Sequence, residues 1–462
     1  MSNEGQLRQE NQLDESHNPD RRARVSSANE VGSGFPLQNL PWCVHRRGEE
    51  LRRGVRIGDA FFDLGEAAEA GLLNGIEGVA IELLRGGGRL SPALLSLSPS
   101  ARSGLRRRLV DLLDEADPLK VGAAVDSCLS PLDEELLERP IDVGDYTDFY
   151  ASVHHATNVG SMFRPDNPIL PNYKWIPVGY HGRASSVRCS GTEIRRPWGQ
   201  QAPAVAGEAP SFAPSQRLDY ELEMGVVIGA GNALGEPLSI EEAEAHIVGF
   251  CLLNDWSARD LQKWEYQPLG PFLAKNFATS ISPYIVTLEA LAPFRCPAEE
   301  RPDGDPQPLP HLDSAENRQR GGLSVQLEVF LSSEQMRAEG HDPIRLSSGD
   351  FSAMYWTPAQ MVTHHSASGC DLRPGDLLGS GTVSGPERGS RGCLLELTWD
   401  GGKGDPKPGT ARTPIELPTG ERRVFLQDGD EVVLKGRCER AGFAPISFGL
   451  CRGVITPALE RG

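Results

Sequence analysis

Short alternating runs, cut off again and again by glycine or proline, constrain this chain's fold more than any other feature. IPVGYHG (176–182), YELEMGVVIG (220–229), LSVQLEVFL (323–331), CLLELTW (393–399) and EVVLKGRC (431–438) carry strand-like patterning that stops before a helical period can establish itself. With 51 glycines and 36 prolines in 462 residues, long helices have little room. Helical patterns are fewer. The clearest are SARSGLRRRLVDLLDEA (100–116) and SIEEAEAHIVGF (239–250), the latter with Ser239 at the N-cap and Glu242 in the capping-box position. The expectation is a mainly β protein with interspersed helices, an α+β arrangement.

The pattern divides along the chain. Residues 1–33 are polar with almost no large apolar side chains and read as a disordered tail. WCVHRR (42–47), GVRIGD (54–59) and AFFDL (60–64) then suggest a small barrel, followed by helix, in a first domain over 34–140. A larger second domain occupies 141–462. A formal net charge of −18 leaves no basic stripe for nucleic-acid phosphates. Nine scattered cysteines without a C-x-x-C pair suit reduced thiols. The longest apolar runs are too short to span a bilayer, and the N-terminus lacks the apolar stretch of a signal peptide. A cytoplasmic protein with neither membrane nor nucleic-acid partner is expected.

Four acids stand out near apolar or aromatic segments. In LDYELEMG (218–225), Glu221 and Glu223 alternate onto one face of a strand, where two like charges repel unless something positive lies between them. In NDWSARDLQKWEY (254–266), Asp255, Arg259, Gln262 and Tyr266 fall on one side if the segment is helical, flanked by Trp256 and Trp264. In GDYTDFYASVHHATNVG (144–160), Asp148 and His155 share a side on the same assumption, and the neighbouring His154 cannot. Each has a plain alternative: a solvated strand face, an exposed ion pair, an ordinary histidine. Taken together, Asp148, Glu221, Glu223 and Asp255 form an all-oxygen set suited to a hard cation, Ca²⁺, Mg²⁺ or Mn²⁺.

These segments, with HATNVGSMFR, PVGYHGRASSV, PLGPFLAKNFATSISP and THHSASGCDLRPGDLLGSGTVSGP, closely resemble the fumarylacetoacetase family across most of 141–456, and more weakly across 34–140. The resemblance implies a small SH3-like N-terminal domain, a mixed β-roll C-terminal catalytic domain and a homodimer. It implies calcium ligands at Asp148, Glu221, Glu223 and Asp255, and a second, Mg²⁺-type site at Asp255, Lys275 and Thr279. It makes His155 the general base and Glu396 the carboxylate that orients it. Arg259, Gln262 and Lys275 become donors to a developing oxyanion, and Tyr150, Arg164, Tyr180, Gln262, Tyr266 and Thr382 contact substrate. The implied reaction is metal-dependent hydrolysis of a carbon–carbon bond in a β-diketone: 4-fumarylacetoacetate and water to fumarate and acetoacetate, the last step of tyrosine and phenylalanine breakdown. Ala274 and Ala278 depart from the family's glycines beside the second cation site, where a methyl alters backbone freedom. The rival expectations are a related acylpyruvate or diketo-acid hydrolase and a non-catalytic calcium-stabilised scaffold.

Overall fold

The computed structural model describes residues 13–203, 205, 207–401 and 411–461. Its centre is the strand Ile247–Asp255, in which every residue is buried. A strand covered on both faces carries a continuous apolar run rather than alternation, as IVGFCLLND does. It pairs antiparallel with Leu222–Ile228 on one side and with Thr279–Ile281 and Tyr284–Thr287 on the other. Beyond Leu222–Ile228 lies Leu377–Gly379, then Tyr146–Phe149, paired in parallel so that Gly379 stands opposite Asp148. At the other edge, Trp42–Arg47 joins Tyr284–Thr287 through Trp42↔Ile285. The antiparallel strands Glu50–Ile57, Ala60–Asp63 and Leu129–Pro131 continue outward from it. The 34–140 region therefore extends the same 13-stranded sheet.

Alternation across the central strands separates two cores. Val227, Val248, Cys251 and Leu253 face the helix Pro99–Leu113 and its surroundings. Val226, Phe250 and Leu252 face the second layer, a five-stranded sheet contributing Leu327, Leu434 and Phe448. The helix starts where its sequence says it should: Ser98 accepts from the Ala101 N–H at 3.2 Å and Pro99 opens the first turn.

Three expectations are overturned. The segment 239–250 does not form a helix. Glu242 does accept from the Ser239 N–H (3.1 Å) and hydroxyl (2.8 Å), but only a 3₁₀ turn, Ala243–His246, follows before Ile247 enters the central strand. Burial of IVGF on both faces outweighs the local capping signal. The polar tail is the second. Residues 1–12 lie outside the described residues, but 13–33 pack against the body of the protein. Ser16, His17, Ala23 and Ala28 are buried, and His17 Nε2 lies 2.9 Å from the Glu289 carbonyl. The third, the helical reading of the site segments, is treated below.

Buried arginines on one face of the Pro99–Leu113 helix explain how so polar a segment docks. Arg102 pairs with Glu289 at 2.9 Å. Arg106 donates to the Ser16 hydroxyl (3.0 Å) and to the Ser16, Gln38 and Asn39 carbonyls, with no carboxylate among its partners. Burial lowers its pKa to about 10. Arg106→Met leaves those acceptors unpaired and is expected to destabilise the fold by about 1–3 kcal/mol. The midpoint of urea unfolding measures this; an unchanged midpoint would mean that the segment merely rests on the surface.

Candidate active site

The helix that carries His155, Val153–Phe163, begins only after the Tyr146–Phe149 strand has ended, with Ser152 as N-cap accepting the His155 N–H at 3.2 Å. Asp148 is thus a strand residue and His155 a helical one. Similarly, Asp255 ends the central strand, the helix spans only Arg259–Glu265, and Tyr266 is its C-cap. Neither segment is a single helix: buried strand pairing claims Asp148 and Asp255. Trp256 is buried, whereas Trp264 is 42% exposed. The sheet, not helical periodicity, brings the acids together.

Asp148, Glu221, Glu223 and Asp255 are all buried, each offering an oxygen within 4.8 Å of the others. Glu221 leads into the Leu222–Ile228 strand, Glu223 lies within it, and Gly379 separates that strand from Asp148. Only glycine fits there: a Cβ would lie 2.7 Å from Asp148 Oδ1 and 2.9 Å from Glu223 Oε2. Lys275 Nζ bridges Glu221 and Asp255, the latter at 2.6 Å, and Arg259 Nη1 donates to Glu221 Oε1 at 2.7 Å. Thr279 (3.2 Å) and Tyr180 (3.1 Å) donate to Asp255. Burial opposes charge on Glu221, but Lys275 and Arg259 hold its carboxyl well below the usual range.

Those two cations leave the other side of the cluster unbalanced. Among the described residues, Asp148 Oδ1 and Glu223 Oε1 are buried without a hydrogen-bond partner, while Glu223 Oε2 accepts the Gly381 N–H at 3.0 Å. Burial and the neighbouring carboxylates push both acids well above their ordinary values. Orphaned carboxylate oxygens in a buried all-oxygen set fit a hard divalent cation, which would offset the repulsion between Glu221 and Glu223.

Against this cluster stands His155, 3% exposed, with Nδ1 2.6 Å from Glu396 Oε2 and Nε2 3.9 Å from Glu221 Oε1. A carboxylate only accepts, so Nδ1 is the donor of that pair, and Nε2 is the ring nitrogen turned to the acid cluster. Glu396 sits on the one-turn helix Leu394–Leu397, fully buried. Burial raises its pKa, but His155 and hydrogen bonds from His155, Asn158 and Ser384 bring it down to about 2.

The remaining expected residues surround this space. Tyr150 stands edge-on to His155, ring centroids 5.2 Å apart. The charge of Arg164 reaches Tyr150 from the end of the helix, and Arg164 Nε is buried without a partner. Phe163 packs on Tyr266, ring centroids 5.8 Å apart, and the side-chain Oε1 of Gln262 accepts from Arg259 Nη1 at 3.2 Å. The hydroxyl of Thr382 is buried and unpartnered, beside the Gly381 that holds Glu223. Among the described residues, Arg259 Nη2 is likewise buried without a hydrogen-bond partner.

Sequence reasoning missed several neighbours. Asp219 accepts from Arg259 Nε (2.9 Å) and from the Leu394 and Leu395 N–H groups, tying the Arg259 helix to the Glu396 turn. Its position two before Glu221 was a usable signal. Asn158 donates to Glu396 Oε1 at 2.7 Å and lies three residues after His155, a helical spacing. Ser384 donates to Glu396 Oε2 at 2.8 Å, and nothing local in GSGTVSG marks it.

Residues 145–452 match the family model described as fumarylacetoacetate (FAA) hydrolase C-terminal, and residues 38–138 match fumarylacetoacetase N-terminal. Among curated relatives, the fumarylacetoacetase of Caenorhabditis elegans is 45% identical over 433 residues, covering 92% of this chain and 97% of its own. That of Oryza sativa subsp. japonica is 44% identical over 437 residues, covering 93% and 96%. The Homo sapiens fumarylacetoacetase is 42% identical over 445 residues, covering 92% and 97%.

Proposed function

The chain belongs to the fumarylacetoacetase family, and from that premise we propose that it hydrolyses 4-fumarylacetoacetate to fumarate and acetoacetate, the closing step of tyrosine breakdown. The observation that carries this reading is the placement of the His155 imidazole between a buried carboxylate at Nδ1 and a buried acid cluster beyond Nε2. A calcium-stabilised scaffold has no use for that pair.

His155, held by Glu396, takes a proton from water at Nε2, and the resulting hydroxide attacks the carbonyl next to the fumaryl group. Arg259, with Nη2 unspent, Gln262 and Lys275 face the developing oxyanion; one such donor commonly contributes about 3 kcal/mol. The tetrahedral intermediate collapses with cleavage of the carbon–carbon bond, the electron pair leaving as the enolate of acetoacetate, which is then protonated. Arg164 suits the substrate's carboxylate, and Tyr150, Tyr180, Tyr266 and Thr382 bound its path. Asp148, Glu221, Glu223 and Asp255 would hold Ca²⁺. When bound, the ion supplies Lewis-acid polarisation of the diketone oxygens. Mg²⁺ at Asp255, Lys275 and Thr279 follows from the family resemblance alone, and an ion there would share Asp255 with the Lys275 ammonium.

We read 34–140 as the SH3-like unit, 141–462 as the β-roll catalytic unit, and the active species as a homodimer, on the same resemblance. No helix among the described residues is long and apolar enough to cross a membrane. We read the setting as cytoplasmic on the nine free cysteines. Incubation with fumarylacetoacetate is expected to release fumarate and acetoacetate in equal amounts. Turnover of an acylpyruvate but not of this substrate would replace the reading with that of a related diketo-acid hydrolase.

A further inference from the structure

The orientation of His155 depends on Glu396, and four side-chain donors converge on that one carboxylate. Its Oε2 receives His155 Nδ1 at 2.6 Å, the Ser384 hydroxyl at 2.8 Å and the Cys393 thiol at 3.2 Å; its Oε1 receives Asn158 Nδ2 at 2.7 Å. Ser384 has two further bonds. Its hydroxyl oxygen accepts the Gly392 N–H at 3.0 Å, and its carbonyl accepts the Ser152 hydroxyl at 2.9 Å. Ser152 is the N-cap that receives the His155 N–H. The contacts therefore close a ring: from the cap of the base-bearing helix to the Ser384 main chain, through the Ser384 hydroxyl to Glu396, and through Glu396 back to His155. Asn158, one turn beyond His155 on the same helix, pins the opposite oxygen.

This arrangement matters because the last torsion of a glutamate is broad. A carboxylate held only by the imidazole could turn about that torsion and carry the ring with it, displacing Nε2 from the acid cluster. We propose that Asn158 and Ser384 are positioning residues that fix the plane of the Glu396 carboxylate and so aim His155 Nε2 at the attacking water. The proposal rests on the hydrolase reading above. It differs from a plain structural role, in which the two donors only offset the burial of Glu396, by acting on turnover through one identified residue.

The test is steady-state kinetics with fumarylacetoacetate on Asn158→Ala, Ser384→Ala, Glu396→Gln and the double variant Asn158→Ala/Glu396→Gln, with circular dichroism and melting to confirm the fold. Each alanine variant is expected to lower kcat by about 10–100-fold with KM changed less than about twofold, because what is lost is orientation rather than substrate contact. In the Glu396→Gln background, Asn158→Ala is expected to add almost nothing, since its target no longer holds the base. An unchanged kcat in Asn158→Ala, or a full undiminished loss on top of Glu396→Gln, overturns the proposal. If buried Ser384→Ala fails to fold, half-buried Asn158 decides alone. A wild-type protein that releases no fumarate sinks the parent reading and this one with it. An active wild type with a silent Asn158→Ala sinks only this one.

Discussion

His155→Ala is expected to lower kcat by about 10²–10⁴, the usual range for losing a general base, while His154→Ala leaves turnover within about twofold of the parent. The two histidines are adjacent on the Val153–Phe163 helix, so their side chains diverge by about 100°. His155 is turned into the site, with Glu396 on Nδ1 and Glu221 beyond Nε2. His154 is half-buried on another side, where burial, partly countered by Glu299 and Glu396, lowers its pKa. Its imidazole therefore belongs to a different environment. Steady-state kinetics on both variants, with circular dichroism to verify folding, separates the possibilities. A crippled His154→Ala beside an active His155→Ala would reverse the assignment, and two active variants would remove the general base from the mechanism.

The residues of this site were legible in the sequence well before their geometry was. Glu221 and Glu223 meet because strand alternation is a local rule, and the Leu222–Ile228 strand obeys it. Asp148 and Asp255 join them in the sequence as acids near apolar segments, and the fold brings all four within reach of one another, though not through the helical spacings of their own segments. The helical spacing of seven between Asp148 and His155 does not form: Asp148 arrives by parallel pairing with the strand that carries Gly379, more than 200 residues away. Non-local pairing of this kind leaves no periodic trace in the segment itself. The same blindness hid Ser384, whose contacts with Glu396 and Ser152 exist only in the folded chain. Asn158 was readable, since it follows His155 at a helical interval, and so was Asp219 by strand alternation from Glu221. The docking of residues 13–33 was not: their composition is polar, and what holds them is pairing with distant parts of the chain, Arg106 donating to the Ser16 hydroxyl and carbonyl, His17 meeting the Glu289 carbonyl and Arg21 pairing with Asp114.

Removing divalent cations with a chelator is expected to abolish turnover and lower the melting temperature, and adding Ca²⁺ back to restore both. An ion that binds only the folded state stabilises it by mass action, by about 2.7 kcal/mol when present at a hundred times its dissociation constant. The cluster gives the reason for expecting tight binding: Lys275 and Arg259 serve Glu221 and Asp255, while Asp148 Oδ1 and Glu223 Oε1 have no hydrogen-bond partner. Glu223→Gln provides the internal control, because an amide keeps the shape but is a poorer, uncharged ligand. With Ca²⁺ present the variant should melt well below the parent. With chelator present the two should melt nearly alike, since burial and the neighbouring carboxylates raise the Glu223 pKa and favour a proton there once no cation shares the charge. The difference between the two melting gaps is what the ion contributes through Glu223. If chelator changes neither melting nor turnover in the parent, the four acids hold no functional ion. Equal calcium affinity in Glu223→Gln would instead confine the ion to the other three, with Glu223 left to accept the Gly381 N–H.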